Sequence, residues 1–160
     1  MKYLTIALSI ILTAALFITG CSDSSTYSDD ESKLMAEASI TLNNSGASAY
    51  IALSVTGEGA AVSINTDNPE ITLTTGGRYT FINKAGVSSH PLDFRNDEGV
   101  KLFGQSRNDG SFDGNPDVNV IEDENSITFT LTGELAERLS EYICSFHPGM
   151  NGSLNVIDAN

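Results

Sequence analysis

The heptapeptide CSFHPGM, residues 144–150, carries three side chains that could bind a metal ion, spaced three residues apart. They are the thiol of Cys144, the imidazole of His147 and the thioether of Met150. Sulfur and imidazole donors are soft or borderline ligands, and together they suit copper. A second imidazole can come only from His90, because the chain contains two histidines. The sequence therefore predicts a copper site whose ligands are His90, Cys144, His147 and Met150.

The residues on either side of this heptapeptide predict two strands that would position it. Tyr142 and Cys144 are two residues apart, so their side chains would lie on the same face of a strand. Residues 145–149 would then form a tight loop that carries His147. In the segment 152–157, GSLNVI, the apolar residues Leu154 and Val156 alternate with polar ones, which predicts the returning strand. The Tyr142 hydroxyl could bond upstream backbone, as in a tyrosine corner, or the residue could be an ordinary core tyrosine.

At these residues the sequence resembles the cupredoxins, the small blue copper proteins of the plastocyanin and amicyanin type. In that family a strand bearing a Tyr supplies the Cys, the next loop supplies His and Met, and a final strand closes a sandwich. The Cys-x-x-His-x-x-Met spacing, with Pro148 directly after the His, is most similar to the short ligand loop of amicyanin. The resemblance extends over roughly residues 48–158, and its specific motifs are the two ligand stretches.

The resemblance implies one type 1 copper ion and a role as an electron carrier. His90, Cys144 and His147 would hold the ion in a trigonal plane, with Met150 at longer range on the axis. Single electrons would pass between extracytoplasmic redox partners by outer-sphere transfer, with no substrate at the metal. In the family the His of the ligand loop is the electron port, which here is His147. Its apolar rim would consist of Phe146, Pro148, Gly149, Pro91 and Leu92.

Pro91 is a departure from the family, in which the first His is commonly followed by Asn. The residue at this position often donates a backbone N–H to the Cys sulfur in cupredoxins, and Pro has no N–H to donate. The resemblance then implies one hydrogen bond fewer to the sulfur of Cys144. More electron density on sulfur would stabilise Cu(II), so a lowered reduction potential is expected.

From residue 34 onward the sequence predicts an all-β fold, a Greek-key β-sandwich formed by one domain over residues 38–160. Short runs rich in β-branched and aromatic residues are separated by Gly, Asn and Pro at intervals of about 8 to 12 residues. The runs begin at Ser39, Tyr50, Ala61, Glu70, Arg78 and Ser126. A brief helix or turn is expected at residues 134–140, ELAERLS, just before the strand that carries Tyr142.

Residues 1–20 predict a signal peptide rather than part of this domain. They have a basic residue, Lys2, directly after Met1, continue with an apolar run and end in Ile-Thr-Gly before Cys21, which resembles the lipobox of prokaryotic lipoproteins. Cys21 would then be the lipid attachment site, and an uncleaved anchor or ordinary signal cleavage are the alternatives. Residues 21–37 would form a lipid-anchored disordered tether. The domain would therefore lie outside the cytoplasm, on the periplasmic or cell-surface side of the membrane.

Removal of the signal and lipidation of Cys21 would leave Cys144 as the one free thiol, with no internal disulfide. A lone thiol in an exported protein is prone to oxidation unless it is buried or bound to metal. Cys144 could be a small core residue. Its spacing from His147 and Met150 favours metal ligation instead.

The chain is strongly acidic, with 21 Asp and Glu against 8 Lys and Arg and a net charge of -13. Such a surface argues against nucleic acid, because phosphates favour Lys and Arg. It would steer a cationic redox protein, such as a cytochrome or an oxidoreductase, although solubility or a saline habitat would explain the charge equally well. We expect a monomer that is bound to the membrane through its lipid anchor and has no small-molecule substrate.

Residues 95–125 are rich in Asp, Asn and Gly and predict a long loop between the two ligand stretches. Four of them carry oxygen atoms that could bind calcium, namely Asp109, Asp113, Asn115 and Asp117. Their spacing does not match the EF-hand pattern. The segment therefore favours a solvated acidic loop, with calcium binding or partner docking as alternatives.

Two other classes of function remain open at this point. A non-redox copper trafficking protein usually exposes several Met or His side chains, whereas the methionines of this chain are Met1, Met35 and Met150. A surface interaction module would explain the sandwich and the acidic surface, but not the spacing of Cys144 and His147. An enzyme is not expected, because copper oxidases and nitrite reductases need further copper sites and more than two histidines.

Overall fold

The computed structural model describes residues 35–159, and the fold over that range is all-β. Eleven strands and one short helix make up the regular structure of these residues. The predicted signal peptide at residues 1–20, the lipid attachment site Cys21 and the tether as far as residue 34 lie outside the described residues. Over residues 35–159, no helix has the length and apolar character needed to cross a membrane.

The strands form two mixed sheets. The first sheet contains β1 Glu37–Ser45, β2 Ala49–Gly57, β5 Arg78–Asn83, β8 Ile121–Glu122 and β9 Ser126–Thr130. The second contains β3 Ala60–Val62, β4 Ile71–Thr74, β6 Leu92–Arg95, β7 Lys101–Gly104, β10 Glu141–Cys144 and β11 Asn151–Ile157. Their strand orders are β2-β1-β5-β9-β8 and β3-β4-β11-β10-β6-β7. Each sheet contains one parallel pair, β1 with β5 and β4 with β11, among otherwise antiparallel neighbours.

Aromatic side chains from both sheets form the centre of one hydrophobic core. Phe81 and Phe129 of the first sheet stack with ring centroids 5.9 Å apart, and Phe94 and Phe103 of the second stack at 4.6 Å. Between the sheets, Phe81 meets Phe94 edge to face at 5.0 Å. All four rings are fully buried, and each buried side chain contributes about 1.5–3 kcal/mol. The core therefore joins the two sheets, and the prediction of an all-β fold is confirmed.

Strand β5 shows how its sequence specifies a half-buried strand. Its alternate residues Tyr79, Phe81 and Asn83 are buried, while those between them are only partly covered. Side chains two residues apart share a face of a strand, so this alternation is typical of a strand with one face on the core. Asn83 is a polar residue at the last of these core positions, where the chain turns toward His90.

The prediction of one long loop over residues 95–125 is wrong. Strands β7 and β8 lie inside this segment, and Phe112 and Val118 are buried in the core. β7 pairs with β6, so it extends the second sheet. The run VKLF, residues 100–103, is the strand signal, and the surrounding Asp, Asn and Gly obscure it. Most of the acidic side chains therefore lie in turns between packed elements, and Glu122 lies in β8.

A capped helical turn and a buried tyrosine fix the segment that leads to Cys144. Helix α1 covers Gly133–Ala136, close to the position predicted, and the Oγ1 atom of Thr132 accepts a hydrogen bond from the Leu135 N–H at 3.3 Å. In β10, Tyr142 is fully buried and its hydroxyl donates to the carbonyl of Pro69 at 2.7 Å. Tyr142 is thus a core residue that also bonds upstream backbone.

Candidate metal centre

The six residues between β10 and β11 form a closed loop that begins directly after Cys144. The N–H of Cys144 donates to the carbonyl of Met150 at 2.9 Å, and the N–H of Met150 donates to the carbonyl of His147 at 2.9 Å. Cys144 and Met150 are fully buried, whereas His147 is partly exposed. The backbone therefore holds three of the four predicted ligands in one compact loop.

His90 reaches the same region from the turn between β5 and β6. Its N–H donates to the carbonyl of Gly86 at 2.7 Å. Its own carbonyl accepts hydrogen bonds from the Tyr50 hydroxyl and from Asn83 Nδ2, both at 2.8 Å. Because Tyr50 belongs to β2 and Asn83 to β5, two strands of the first sheet fix the position of this histidine.

The thiol and the two imidazoles converge on one point. Cys144 Sγ lies 3.8 Å from His90 Nδ1 and 3.6 Å from His147 Nδ1. The donor atoms of the three residues lie within 4.8 Å of one another, and the imidazole centroids are 4.8 Å apart. Within residues 35–159, no other set of three His, Cys, Asp or Glu side chains converges in this way.

The two sulfur–nitrogen distances match those that an ion bound to the sulfur and to either nitrogen would require. With metal bonds of about 2.3 Å to sulfur and about 2.05 Å to nitrogen, bond angles of about 110° to 120° separate the two donors by about 3.6–3.8 Å. The two observed Sγ–Nδ1 distances, 3.6 and 3.8 Å, equal these limits. His90, Cys144 and His147 could therefore hold a metal ion, and both copper and zinc accept such donors.

Burial affects the ionisation of two groups at the site. Loss of hydration lowers the pKa of His90 below its ordinary value of 6.5, and the neighbouring His147 lowers it further. Since a neutral imidazole is the form that binds metal, the lowered pKa keeps His90 available over a wider pH range. Burial also raises the pKa of Tyr50, and the nearby Cys144 raises it further. The Tyr50 hydroxyl therefore retains the proton that it donates to the His90 carbonyl.

The apolar rim predicted around His147 is only partly at the surface. Three of its five residues are exposed, namely Phe146, Pro148 and Gly149. The prediction is wrong for Pro91 and Leu92, which are buried. Leu92 is the first residue of β6 and packs in the core, so this part of the chain turns inward. The exposed rim consists of the ligand loop alone, with Phe146 60% exposed.

Three of the four side chains proposed to bind calcium use an oxygen atom in a turn or in an ion pair. Asn115 Oδ1 accepts a hydrogen bond from the N–H of Asp117 at 2.9 Å. Asp113 Oδ2 accepts one from the backbone three residues earlier, at 2.6 Å. Asp109 forms an ion pair with Lys101 at 3.1 Å. In the part of the chain that the structure describes, the three aspartates among these residues do not form a converging donor set.

The residues that support His90 are not among those predicted from the sequence. Besides Tyr50 and Asn83, Asn44 Nδ2 lies 3.4 Å from His90 Nε2. Gln105 Oε1 accepts a hydrogen bond from Asn83 Nδ2 at 2.9 Å and so ties β5 to the segment after β7. Asn83 has a signal in the sequence, because it is a polar residue at a core-facing position. The others come from distant segments and have no comparable local signal.

Neither protein-family models nor curated proteins yield a match to this chain. The chemistry and geometry of the site are therefore what indicate a function for this chain. That site consists of one thiol and two imidazoles, held together by segments from both sheets.

Proposed function

We propose that this chain is a membrane-tethered blue copper protein that carries single electrons between extracytoplasmic redox partners. His90, Cys144 and His147 would hold one type 1 copper ion, with Met150 as a weak axial ligand. The observation that carries the proposal is the convergence of one thiol and two imidazole Nδ1 atoms, with Sγ–Nδ1 distances of 3.6 and 3.8 Å. One Cys, two His and a weak Met are the donor set of blue-copper electron-transfer sites.

The nature of the fourth donor favours copper over zinc. Structural zinc sites usually have four Cys or His ligands, and catalytic zinc sites have three protein ligands and a water. The remaining candidate here is the thioether of Met150, which is buried at the end of the loop that starts at Cys144. A thioether is a soft ligand that suits copper.

The proposal includes a cupredoxin-like Greek-key arrangement of the two sheets. Three features support it. The ligand loop joins the last two strands, the remaining histidine follows β5, and a buried tyrosine precedes Cys144 by two residues. Because one fold can host many functions, the donor set carries more weight than the arrangement of strands.

Electron transfer would require that the ligand side chains move little when the metal changes its oxidation state. Bound copper would supply a one-electron change of oxidation state. The chain holds Cys144 through the hydrogen bonds of the closed loop, and it holds His90 through the Tyr50 and Asn83 contacts to its carbonyl. Side chains fixed in this way need little rearrangement when the charge of the site changes. His147, partly exposed beside Phe146, would be the port for the electron.

The proposed setting follows from the N-terminal sequence and the charge. Cys21 would carry the lipid that anchors the chain to the membrane, outside the cytoplasm. A cationic redox protein would be the partner, because the net charge of -13 attracts positive surfaces. We propose a monomer that acts on no small molecule or nucleic acid. An enzymatic role is not proposed, since two histidines are too few for the further sites of copper enzymes.

A copper titration of the full chain tests this proposal. We expect one Cu(II) per chain, an intense visible band from thiolate-to-copper charge transfer, and reversible one-electron reduction. Cys144→Ser should abolish the band. Cys21→Ser is the matched control, because it removes the other cysteine of the chain, and it should retain the band.

Other results would favour other functions. Weak, colourless copper binding would overturn the electron-transfer proposal. Tight Cu(I) binding with rapid release to a chelator, and without reversible oxidation, would favour copper trafficking. Tight zinc binding without a coloured copper complex would favour a structural metal site.

A further inference from the structure

A buried carboxylate lies beside the ligand loop without belonging to the three-donor site. Asp93, in β6, is 2% exposed and pairs in register with Ile143, the residue before Cys144. Its Oδ2 accepts hydrogen bonds from the Ser145 hydroxyl and from the Ser106 hydroxyl, the latter at 2.7 Å. Its Oδ1 accepts one from the Ser106 N–H at 3.1 Å. Both oxygens of the carboxylate are therefore satisfied.

Lys101 supplies the opposite charge to this carboxylate. Its Nζ lies 3.6 Å from Asp93 Oδ1 and donates a hydrogen bond to Ser106 Oγ at 2.9 Å. A buried carboxylate is costly unless it is both paired and hydrogen-bonded, and here it is both. We refer to Asp93, Lys101, Ser106 and Ser145 together as the Asp93 anchor.

The neighbouring strand leaves room for the Asp93 side chain. Gly104 in β7 is opposite Asp93 in register and has a φ of 150°. A Cβ at Gly104 would lie 2.5 Å from both the Cα and the Oδ1 of Asp93. Any larger residue would displace the carboxylate, so the backbone of β7 is adapted to the Asp93 anchor.

The Asp93 anchor connects two segments that the strand pairs do not join. Ser106 lies in the segment after β7, and Ser145 is the first residue of the ligand loop, directly after Cys144. The N–H of Ser145 also donates to the carbonyl of Pro91 at 3.2 Å. Both the backbone and the side chain of Ser145 are therefore held, and a rotation at Ser145 would move the neighbouring Cys144.

We propose that Asp93 is a positioning residue that keeps the ligand loop closed before any metal binds. By holding Ser145, it keeps the sulfur of Cys144 opposite the two Nδ1 atoms and protects the free thiol from reagents. A hydrogen bond to an ionised acceptor is stronger than one between neutral groups, which suits this role. The role of loop closure in copper binding rests on the proposed function, but the closure itself can be measured without metal.

The reactivity of Cys144 in the metal-free chain tests whether the contact between Asp93 and Ser145 keeps the loop closed. In the full chain carrying Cys21→Ser, Cys144 is the one remaining cysteine. A fully buried thiol reacts with iodoacetamide only when the structure opens locally, so the rate reports the population of the open loop. Ser145→Ala removes the hydroxyl that joins the loop to Asp93. We expect the rate to rise about tenfold, the factor associated with one charge-assisted hydrogen bond.

Ser106→Ala is the matched control, because its hydroxyl bonds the same Oδ2 atom from the other segment. It should lower the thermal stability about as much as Ser145→Ala, yet change the alkylation rate by no more than about twofold. Ser145→Thr retains a hydroxyl and should restore the slow rate. An unchanged rate in Ser145→Ala, or equal rates in Ser145→Ala and Ser106→Ala, would overturn the proposal.

A double variant tests whether Asp93 acts through Ser145. Asp93→Asn removes the charge of the acceptor and should accelerate alkylation, and Ser145→Ala should accelerate it less in the Asp93→Asn background than in the parent, because the two changes share the Asp93–Ser145 contact. If the two effects multiply, Asp93 does not act through Ser145 and the proposal fails. In the copper-loaded chain, Ser145→Ala should shift or weaken the thiolate band more than Ser106→Ala does. A parent chain without that band would refute the proposed function, while the alkylation rates would still decide the role of Asp93.

Discussion

Two regions of the molecule are rich in potential metal ligands, and only one of them brings its donors together. At the metal centre, the donor atoms of His90, Cys144 and His147 lie within 4.8 Å of one another. In residues 105–125, oxygens of Asp and Asn accept hydrogen bonds from nearby backbone N–H groups. Donors converge where separate strands end at the same place, whereas Asp and Asn in consecutive turns serve to stabilise those turns.

The hydrogen bonds that hold the two regions also differ. Those at the metal centre come from distant strands, whereas those in residues 105–125 form within single turns. The His90 carbonyl is bonded by Tyr50 and Asn83, which belong to two strands of the first sheet. Asn115, by contrast, bonds the N–H groups of its own turn. A change in the first region should therefore reach the metal centre, and a change in the second should remain local.

Removal of a metal ligand should have the largest effect. His147→Ala deletes one imidazole, and we expect the copper affinity to fall more than about 100-fold, because loss of even an outer-shell partner costs about 10- to 100-fold. Asp117→Asn removes a charged oxygen from the second region and should leave the affinity unchanged. Competition with a chelator of known affinity measures both variants. Equal losses of copper affinity in the two variants would show that residues 105–125 matter as much for copper binding as the metal centre does.

Asn83 at the metal centre and Asn115 in residues 105–125 offer a second comparison of the two regions. Asn83→Ala leaves the His90 carbonyl with one partner fewer, so the free energy of unfolding should fall by about 1–3 kcal/mol. We expect the copper affinity to fall by about tenfold as well, since the histidine loses support. Asn115→Ala should cost about 0.5–1.5 kcal/mol of unfolding free energy and leave copper binding unchanged. Denaturant titration and copper competition would check both, and a similar loss of affinity in Asn115→Ala would argue against the comparison.

The two regions should lose stability in different pH ranges. Loss of hydration lowers the pKa of His90 in the folded chain below 6.5, so the unfolded chain binds more protons below that pH. The stability of the metal-free chain should therefore be complete above pH 6.5 and decrease as the pH falls through the folded pKa. Hydrogen bonds from Asn125 and Ser126 lower the pKa of Asp123 below 3.8, so its contribution is lost only as the pH falls below 3.8.

Thermal unfolding across this pH range separates the two contributions. His90→Gln should remove the decrease that begins near pH 6.5 and leave the one in more acid solution. Asp123→Asn should do the reverse. A decrease near pH 6.5 that persists in His90→Gln would assign it to a different group.

Asp109→Asn should have the smallest effect. Asp109 is 57% exposed and pairs with Lys101 at 3.1 Å, and exposed ion pairs contribute about 0–1 kcal/mol. We expect little change in the melting temperature, and calcium should stabilise neither the parent nor the variant. Melting curves with and without calcium would test this. A calcium-dependent rise that disappears in Asp109→Asn would restore the calcium interpretation.

The donor set could be predicted from the sequence because its members are few and mostly close together. Cys144, His147 and Met150 occupy one heptapeptide, and His90 is the one remaining histidine. The all-β class could be predicted as well, because alternating β-branched and aromatic runs depend only on local order.

The supports of the site could not be predicted, because they join residues far apart in the chain. Asp93 and Ser145 are 52 positions apart, and neither has a pattern that indicates the other. Burial of Pro91 and Leu92 depends on the pairing of β6 with β10, which no local signal specifies. Strand β7 was missed because its short apolar run lies among turn-forming residues.

X-ray absorption at the copper edge of the loaded chain tests the central claim most directly, because it counts the ligand atoms. We expect two imidazole nitrogens and one short thiolate sulfur around the ion. Cys144→Ser should remove the sulfur, and His90→Ala should remove one nitrogen. A shell of nitrogen and oxygen alone, or a spectrum that neither variant changes, would contradict a copper site at His90, Cys144 and His147.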